Sequence, residues 1–493
     1  MRLISVFYNA ICQRDINDKK TMIKKIYVLP VFIIWTTFSF AQIPKSLVVD
    51  RVFSTWEMPN VPGGAVGVIK DGQLVYAKGY GLADLEHDLP ITPSSVFYIG
   101  SVSKQFVAFS ILLLEEQGRL NLEDEIQKYL PDFPVYETPL TIRNFIHHTS
   151  GVRDFIELMK LQGRSYLDHI DEHEVYELIK QQKVLNFSPG EQYLYSNSCY
   201  FMLAMIIEKV TGTSLKKYAS ENIFKPLGMH NTLFYDDNTN IIKNRVFSYK
   251  KEERGFDNLI MRFDLVGSGG IYSNIEDLYL WDQNFYHNKL GNGGQTIIQK
   301  MHEEGLLYNG KSSGYAFALK NRTYRGLKTV SHGGSLAGYR SQFMRFPKQH
   351  FSVIILANRN DAKPSEKANQ VADIYLKDEF LDRKNDLRKG VSANNNSNIP
   401  FDNKFYSQEE LKNFVGTYYS DELQVIYNLD RRENNLVMYI KGKEIVVMQA
   451  IKKNIFSNDD FGVFEFKEDS SGNMESFKLM TGRVKNLKFI KEQ

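Results

Sequence analysis

The order of apolar and polar positions predicts strands at both ends of a large first segment, with helices between them. Apolar runs at residues 64–69 and 73–77 flank an Asp-Gly pair, which is typical of a two-residue β-hairpin turn. The run 106–114 is apolar nearly all round, as in a helix buried within a large domain. From there to Met229 the pattern is mainly helical.

Strand-like runs return later in this segment, at residues 315–320, 322–330, 340–346 and 351–358. A helix is expected over residues 364–382, because its leading proline suits a first helical turn. This order predicts an α+β fold. Its antiparallel sheet is built from both ends of the domain, is flanked by helices and carries an inserted helical region.

The pattern changes again towards the end of the chain. Residues 386–405 are rich in Asn and Ser and are expected to be a linker. Beyond them, residues 406–493 alternate between polar and apolar positions, with turn residues between the runs. We therefore predict a first domain over residues 42–385 and a small all-β domain, a barrel or a sandwich, over residues 406–493.

The first 41 residues have the pattern of an export signal. A basic pair precedes an apolar run at residues 26–40, and Ala41 suits cleavage. This run is shorter than the roughly 20 residues that cross a bilayer, so a retained membrane anchor is only the alternative. Met22 is a candidate start, because residues 1–21 are unlike a signal. We expect an exported protein, periplasmic or secreted, that touches the membrane only through an uncleaved signal.

Composition narrows the classes of partner. The chain has 493 residues and a net charge of +3, and it shows no basic stripe with interleaved aromatic residues. Nucleic acid is therefore a poor candidate partner. Of the two cysteines, Cys12 lies in the predicted signal, so no disulfide framework is available. Cys199 lies in an apolar run and is expected to be a buried thiol.

The strongest chemical signal is Ser101 followed by Lys104 at the start of the buried helix. A serine hydroxyl is a weak nucleophile that needs a base, and helix positions i and i+3 share a face. A lysine among apolar side chains loses proton affinity, so it can accept the serine proton. The backbone N–H of Ser101, at a helix start, is a candidate oxyanion donor. The pattern alone is weak, because Ser214 and Lys217 repeat it on a helix expected to be solvated.

A second element is Tyr195-Ser196-Asn197. Tyr195 offers a second acid/base group, because a nearby cation such as Lys104 favours its phenolate. Asn197 offers an amide to hold Lys104 or a substrate carbonyl. Taken alone, this stretch is equally typical of an ordinary turn with a buried tyrosine.

A third element is the run His332, Gly333, Gly334 and Ser335, between two strand-like segments. Glycines on an edge strand let a substrate approach the backbone closely, so Gly333 and Gly334 are candidate substrate-binding positions. The N–H of Ser335 is a candidate second oxyanion donor. His332 is expected either to polarise Tyr195 or to bind substrate, although an incidental histidine in a turn is the simpler alternative.

In this order and spacing, the three elements together resemble the serine β-lactamase and penicillin-binding superfamily. The Tyr-Ser-Asn element is similar to the class C β-lactamase branch, with its esterase, D-aminopeptidase and D-Ala-D-Ala carboxypeptidase relatives. The resemblance spans roughly residues 44–382 and implies a β-lactamase-like fold, an acyl-enzyme on Ser101, and no metal or organic cofactor. Five further stretches are similar to the same family: 61–64, 146–151, 187–190, 226–229 and 269–273.

One position departs from that pattern. His332 stands where class C β-lactamases carry lysine, and histidine is mostly neutral at pH 7, so the site lacks a fixed charge for a substrate carboxylate. Arg340 is a candidate replacement, with an ordinary surface position as the alternative. We expect an exported serine hydrolase that cleaves an amide or ester, more an esterase or peptidase than an efficient β-lactamase. Its substrates would be neutral or amine-bearing small molecules or peptides, cell-wall material among them.

Other functions stay open at this point. The chain could be a true β-lactamase, or a non-catalytic peptidoglycan- or peptide-binding protein on the same fold. His169 and His173 fit a His-x-x-Glu-His pattern of zinc peptidases, but a solvated helix face with Asp171 as its N-cap is the simpler interpretation. Residues 305–312 match a phosphate-binding loop pattern without the strand-to-helix setting that it needs.

Overall fold

The computed structural model describes residues 43–381 and 406–492. The predicted signal at residues 1–41 and the predicted linker at residues 386–405 lie outside these described residues, so both stay predictions, as do the domain boundaries. The described residues from Pro44 onwards form one compact unit. Within the described residues, no helix is both long and apolar enough to span a bilayer.

The central sheet is antiparallel and six-stranded, in the order β10-β11-β12-β13-β1-β2. Small two- and three-stranded sheets surround it. The strands of this domain are β1 (Gly64–Lys70), β2 (Gln73–Tyr80), β3 (Leu82–Asp84), β4 (Leu89–Pro90), β5 (Phe97–Tyr98), β6 (Leu233–Phe234), β7 (Tyr249–Glu252), β8 (Gly255–Asn258), β9 (Ile271–Ser273), β10 (Lys320–Tyr324), β11 (Leu327–Leu336), β12 (Tyr339–Phe346) and β13 (Phe351–Ala357).

Helices cover the sheet and fill the insertion between β5 and β10. A 3-10 helix at Gly100–Ser103 leads directly into α2. The helices are α1 (Lys45–Val52), α2 (Lys104–Glu116), α3 (Ile142–Ile146), α4 (Phe155–Leu161), α5 (Glu172–Lys180), α6 (Asn197–Thr211), α7 (Leu215–Ala219), α8 (Lys225–Leu227), α9 (Ile275–Asn284), α10 (Thr296–Met301) and α11 (Pro364–Tyr375).

Alternation along the central strands explains why both faces of the sheet are covered. On β13, Val353 belongs to the hydrophobic cluster that includes α1 and α11. The next residue, Ile354, belongs to the larger cluster that includes Phe106 of α2 and Trp281 of α9. Successive strand residues point to opposite faces, so this strand, in which every residue is buried, is covered on both sides. Because β1 pairs with β13, the predicted sheet from both ends of the domain is confirmed.

Local boundaries differ from the sequence predictions in three places. Residues 315–319 form a loop rather than a strand, and Lys320 already belongs to β10. The expected strand 322–330 contains a turn at Arg325 and Gly326, whose φ angles of 48° and 81° reverse the chain and create the β10–β11 hairpin. The expected helix over 364–382 ends at Tyr375.

The C-terminal residues form a closed eight-stranded barrel, which decides between the two predicted all-β forms. Closure follows from the pairing of β14 with β21, which leaves no open sheet edge. A short helix α12 (Gln408–Leu411) precedes the barrel. Its strands are β14 (Gly416–Ser420), β15 (Val425–Arg432), β16 (Asn435–Ile440), β17 (Lys443–Lys452), β18 (Ile455–Asn458), β19 (Gly462–Glu468), β20 (Met474–Thr481) and β21 (Val484–Lys491).

The barrel packs against the region around α4 through buried polar contacts. Arg153 is fully buried and lies 2.8 Å from Glu422 Oε1, and it also donates to the carbonyl oxygen of Lys485. Tyr427 Oη donates to the carbonyl oxygen of Leu161 at 2.6 Å. A buried charge pair loses hydration on both partners, so these contacts hold the two parts in one defined arrangement.

Candidate active site

Ser101 lies where the backbones of the first and third sequence elements touch. Gly100 has a φ of +56°, and a Cβ there would lie 2.7 Å from the backbone nitrogen of Ser335. A Cβ on Gly334 would lie 2.0 Å from the carbonyl oxygen of Ile99. Only glycine permits both contacts, so the two glycines bring β11 against the start of the nucleophile helix.

Lys104 is fully buried beneath Ser101. Its Nζ lies 3.1 Å from Ser101 Oγ, 2.8 Å from Asn197 Oδ1 and 2.5 Å from the carbonyl oxygen of Ser268. Two of these partners are pure acceptors, and the third is a hydroxyl that can donate. A hydroxyl also accepts, so the three contacts fit the ammonium as well as the neutral amine, and only the neutral form has a lone pair that can accept the serine proton.

Burial is the main cause that sets the pKa of Lys104 well below its usual value. The negative charge of Asp154 opposes this shift, and the positive charge of Arg483 adds to it. An amine of lowered pKa is neutral in a larger fraction of molecules near pH 7, so the surroundings favour the form that accepts a proton.

Tyr195 lies close to Ser101 and Lys104, and its hydroxyl is buried. Lys104 Nζ lies 4.9 Å from the centre of its ring. The buried Tyr195 hydroxyl makes no direct hydrogen bond to the part of the chain that the structure describes. Burial raises the pKa of Tyr195, and Ser101 and Arg483 counteract part of that rise. The raised pKa favours the phenol, which can donate a proton, over the phenolate.

His332 is buried and has partners on both ring nitrogens. Nδ1 lies 2.7 Å from the carbonyl oxygen of Gly333, so it carries the proton, and Nε2 accepts from Tyr315 Oη at 3.0 Å. Burial, followed by the charges of Lys320 and Lys104, lowers the pKa of His332 to about 3. It is thus a neutral group fixed by Tyr315, and the expected polarisation of Tyr195 is not made through a direct hydrogen bond.

Asn197 begins α6, and its backbone N–H is held by a series of charged side chains that extends to the barrel. The N–H of Asn197 donates to Asp154 Oδ2 at 2.6 Å. Arg483 Nη1 lies 3.2 Å from the same Asp154 oxygen, and Nη2 lies 3.3 Å from Glu157 Oε1. Arg483 Cζ also lies 5.7 Å from the centre of the Tyr195 ring. The turn between β20 and β21 therefore contributes a side chain to the site.

A cavity of about 970 Å³ opens beside Ser101. Lys104 lies beneath its floor, and the other predicted site residues line it. The lining also includes Lys320 and Arg483, which the sequence analysis missed because no motif marks either residue. The predicted residues brought together in the lining are Ser101, Tyr195, Asn197, His332, Gly333, Gly334 and Ser335.

The alternative motifs have ordinary structural roles. Ser214 caps α7 by accepting a hydrogen bond from the N–H of Lys217 at 3.2 Å. Asp171 is the N-cap of α5, as predicted. Among the described residues, His169 and His173 do not belong to a group of three closely spaced metal-ligating side chains.

Comparison with known proteins places this chain among hydrolases. Residues 49–377 match the family model described as Beta-lactamase. Penicillin-binding protein 4* of Bacillus subtilis (strain 168) is 30% identical over 341 residues, which cover 65% of this chain and 73% of that protein. A D-aminopeptidase of Gluconobacter oxydans (strain 621H) is 26% identical over 311 residues, which cover 63% of this chain but only 58% of that protein.

Solved structures show the same fold. An octameric penicillin-binding protein homologue from Pyrococcus abyssi has a TM-score of 0.60 at 22% identity, covering 91% of this chain and 99% of that one. A D-amino acid amidase from Ochrobactrum anthropi SV3 has a TM-score of 0.59 at 19% identity, covering 68% of this chain and 99% of that one. With the family model spanning most of the catalytic domain, the chain belongs to the Beta-lactamase family and is a hydrolase of the serine β-lactamase and penicillin-binding superfamily.

Proposed function

We propose that this protein is an exported serine hydrolase that cleaves an amide or an ester through an acyl-enzyme on Ser101. The observation that carries the proposal is the buried amine of Lys104, which lies 3.1 Å from the Ser101 hydroxyl and is held by Asn197 Oδ1 and the carbonyl oxygen of Ser268. The proposal of export depends only on the pattern of residues 26–41.

In the first half of the reaction, Lys104 takes the proton of Ser101, and Oγ forms a bond to the substrate carbonyl carbon. The N–H groups of Ser101 and Ser335 hold the oxyanion, a role supported by the close approach of Gly100, the residue before Ser101, to the backbone nitrogen of Ser335. The bond to the leaving group then breaks while Tyr195 donates its proton to the leaving atom. The proton held by Lys104 restores the phenol.

In the second half, water adds to the carbonyl carbon of the acyl-enzyme and gives its proton to Lys104. Lys104 returns this proton to Ser101 Oγ as the bond to the acyl group breaks and the product acid leaves. Each group thus ends in its starting protonation state. Neither half requires a metal ion or an organic cofactor.

The D-aminopeptidase and D-amino acid amidase relatives support amides of D-amino acids as first substrates to test. We expect the mature protein to hydrolyse p-nitrophenyl acetate or D-alanine p-nitroanilide, and to be labelled by a fluorophosphonate. Ser101→Ala should lower kcat for hydrolysis by about 10⁴-fold or more and should abolish fluorophosphonate labelling, while Ser214→Ala should retain hydrolysis and labelling.

Retained hydrolysis by Ser101→Ala would overturn the mechanism. Labelling of Ser101 without turnover of any ester, amide or nitrocefin would instead favour the peptide-binding alternative. Efficient nitrocefin hydrolysis would identify a β-lactamase. For export, the test is whether the full chain, expressed in a Gram-negative host, is recovered from the periplasm or medium in a form shortened near Ala41.

A further inference from the structure

The charged residues around the catalytic cavity are all of one sign. Among the lining residues, all of which lie in the described part of the chain, none is Asp or Glu. A substrate that enters this cavity therefore meets basic side chains with no carboxylate between them. Apart from Lys104 beneath the floor, the cationic members of the lining are Lys320, Arg322, Arg340 and Arg483.

These cations differ in the partners that their side chains already have within the protein. Arg483 is paired with Asp154 and Glu157. Arg340 Nη1 donates to two backbone carbonyl oxygens, at 2.9 and 2.7 Å. Within residues 43–381 and 406–492, neither Lys320 nor Arg322 makes an ion pair or a side-chain hydrogen bond. Arg322 is exposed, whereas Lys320 is half-buried and its amine lies 5.9 Å from the centre of the Tyr195 ring.

The sheet places this amine beside the third sequence element. Lys320 begins β10 and pairs with Ser331, the residue before His332. Its charge contributes to the lowered pKa of His332, which shows that its field reaches that ring. The neighbouring strand thus supplies a positive charge close to the position where His332 itself is neutral.

A half-buried cation without a counter-ion is costly to the free protein. Burial, followed by the charge of Arg322, lowers the pKa of Lys320. A bound carboxylate would remove this cost and form a charge-assisted hydrogen bond in a partly desolvated cavity. A substrate ammonium would instead add a further positive charge to a lining without acidic residues.

We propose that Lys320 binds a carboxylate of the substrate, so that the preferred substrates are anionic amides or esters. This inference rests on the proposed serine hydrolase function and names the substrate class of the same site. It replaces the expectation of neutral or amine-bearing substrates that followed from His332. It also separates this chain from relatives named for aminopeptidase activity.

The test compares substrates that differ in one charge. One pair is N-succinyl- and N-acetyl-D-alanine p-nitroanilide, with the charge on the acyl side. The other pair is the N-acetyl-D-alanine amides of 4-aminobenzoate and 4-aminobenzamide, with the charge on the leaving group. We expect the charged member of at least one pair to have the higher kcat/KM, with a preference that falls as salt concentration rises.

Lys320→Met should reduce that preference, the ratio of charged to neutral kcat/KM, by about 10- to 100-fold, as expected for a lost charge-assisted hydrogen bond. Lys320→Arg should restore part of it. The matched control is Lys328→Met, an exposed lysine of the same β10–β11 hairpin that lies outside the cavity lining. If Lys320→Met does not fold, Lys320→Gln and the salt dependence of the natural protein give the same comparison.

Equal turnover of charged and neutral members in both pairs, unchanged in Lys320→Met, would overturn this inference and leave the serine hydrolase intact. A Lys328→Met variant that loses the preference as strongly as Lys320→Met would also overturn it. Failure of the proposed function looks different, since no substrate of either pair would be hydrolysed and Ser101 would not be labelled.

Discussion

The pattern Ser-x-x-Lys occurs three times in the chain, and the two copies that lie at the start of a helix have little in common beyond their sequence. In the first, Lys104 is fully buried and its amine lies 3.1 Å from Ser101 Oγ. In the second, Ser214 Oγ accepts a hydrogen bond from the backbone N–H of Lys217, whose side chain is exposed. Spacing brings serine and lysine to one helix face, but burial and partners decide whether the lysine is a base.

The difference begins with what each serine does at its helix. Ser214 is an N-cap, so its oxygen is occupied by the backbone that follows it. Ser101 lies within a 3-10 turn before α2 and makes no capping hydrogen bond. Its hydroxyl is thus left for Lys104 and for the cavity. A nucleophilic serine at a helix start needs a hydroxyl that is not already used to cap the helix.

The largest effect should come from replacing the two lysines. Lys104→Arg places a permanent positive charge at this position, because a guanidinium stays protonated and cannot accept the serine proton. We expect kcat/KM for p-nitrophenyl acetate to fall by about 10²- to 10⁴-fold in Lys104→Arg and Lys104→Met alike. Lys217→Met should change it by less than about 2-fold.

If Lys104→Arg retained near-normal turnover, the role of Lys104 would be electrostatic only, and the contrast between the two copies would no longer concern basicity. Fluorophosphonate labelling of Ser101 provides a second measurement, since Oγ displaces fluoride from phosphorus and fluoride leaves without a proton from Tyr195. It should decline in parallel with turnover in both Lys104 variants.

A smaller effect should follow from changing the surroundings of the first copy while leaving the motif itself intact. Arg483→Gln removes a cation that lowers the pKa of Lys104 and frees Asp154, which holds the N–H of Asn197. We expect kcat to fall by about 10- to 100-fold through misplacement of these groups. The acidic limb of the pH–rate profile should move to higher pH, because the pKa of Lys104 rises and the amine is neutral only at higher pH.

Controls separate this positioning role from general damage to the barrel. Arg432→Gln alters an exposed barrel arginine that pairs with Glu444, and should leave both rate and pH profile unchanged. Arg483→Lys keeps the charge and should restore the acidic limb. Thermal unfolding must accompany both Arg483 variants, because Asp154 is fully buried and loses a partner. A lowered rate with no movement of the limb would contradict the proposed link to Lys104.

These two copies also show how much of the site the sequence can indicate. Ser101, Lys104 and the glycines that bring β11 close lie in short motifs whose chemistry is local, so the sequence predicts them. It predicts the β1–β2 hairpin and the all-β character of the last domain for the same reason. Lys320 and Arg483 reach the cavity only because β10 pairs with β11 and because the barrel packs on α4. No local sequence pattern predicts that residues so far apart along the chain will border the same cavity.

The errors have a similar origin. The expected strand over residues 315–320 is apolar up to residue 319, but residues 315–319 are buried as a loop that places Tyr315 against His332, and Lys320 already belongs to β10. His332 replaces a lysine, and from the sequence Arg340 is the candidate cation beside it. The positive charge of Lys320 comes from the neighbouring strand, which no local motif indicates. Local sequence specifies an element's chemistry, whereas the charge of a cavity is a sum over residues from every element that borders it.

The smallest effect should distinguish the structural role of the second copy. Ser214→Ala removes the side-chain acceptor at the start of α7 and should lower the free energy of unfolding by about 1 kcal/mol, measured by urea denaturation. Ser214→Asp should retain most of that stability, because aspartate is an equally good N-cap. Unchanged stability in Ser214→Ala, combined with altered hydrolysis, would reverse the assignment of roles. If Ser214 contributes only to stability and Ser101 only to catalysis, then the structural context, and not the four-residue pattern, decides the role of each serine.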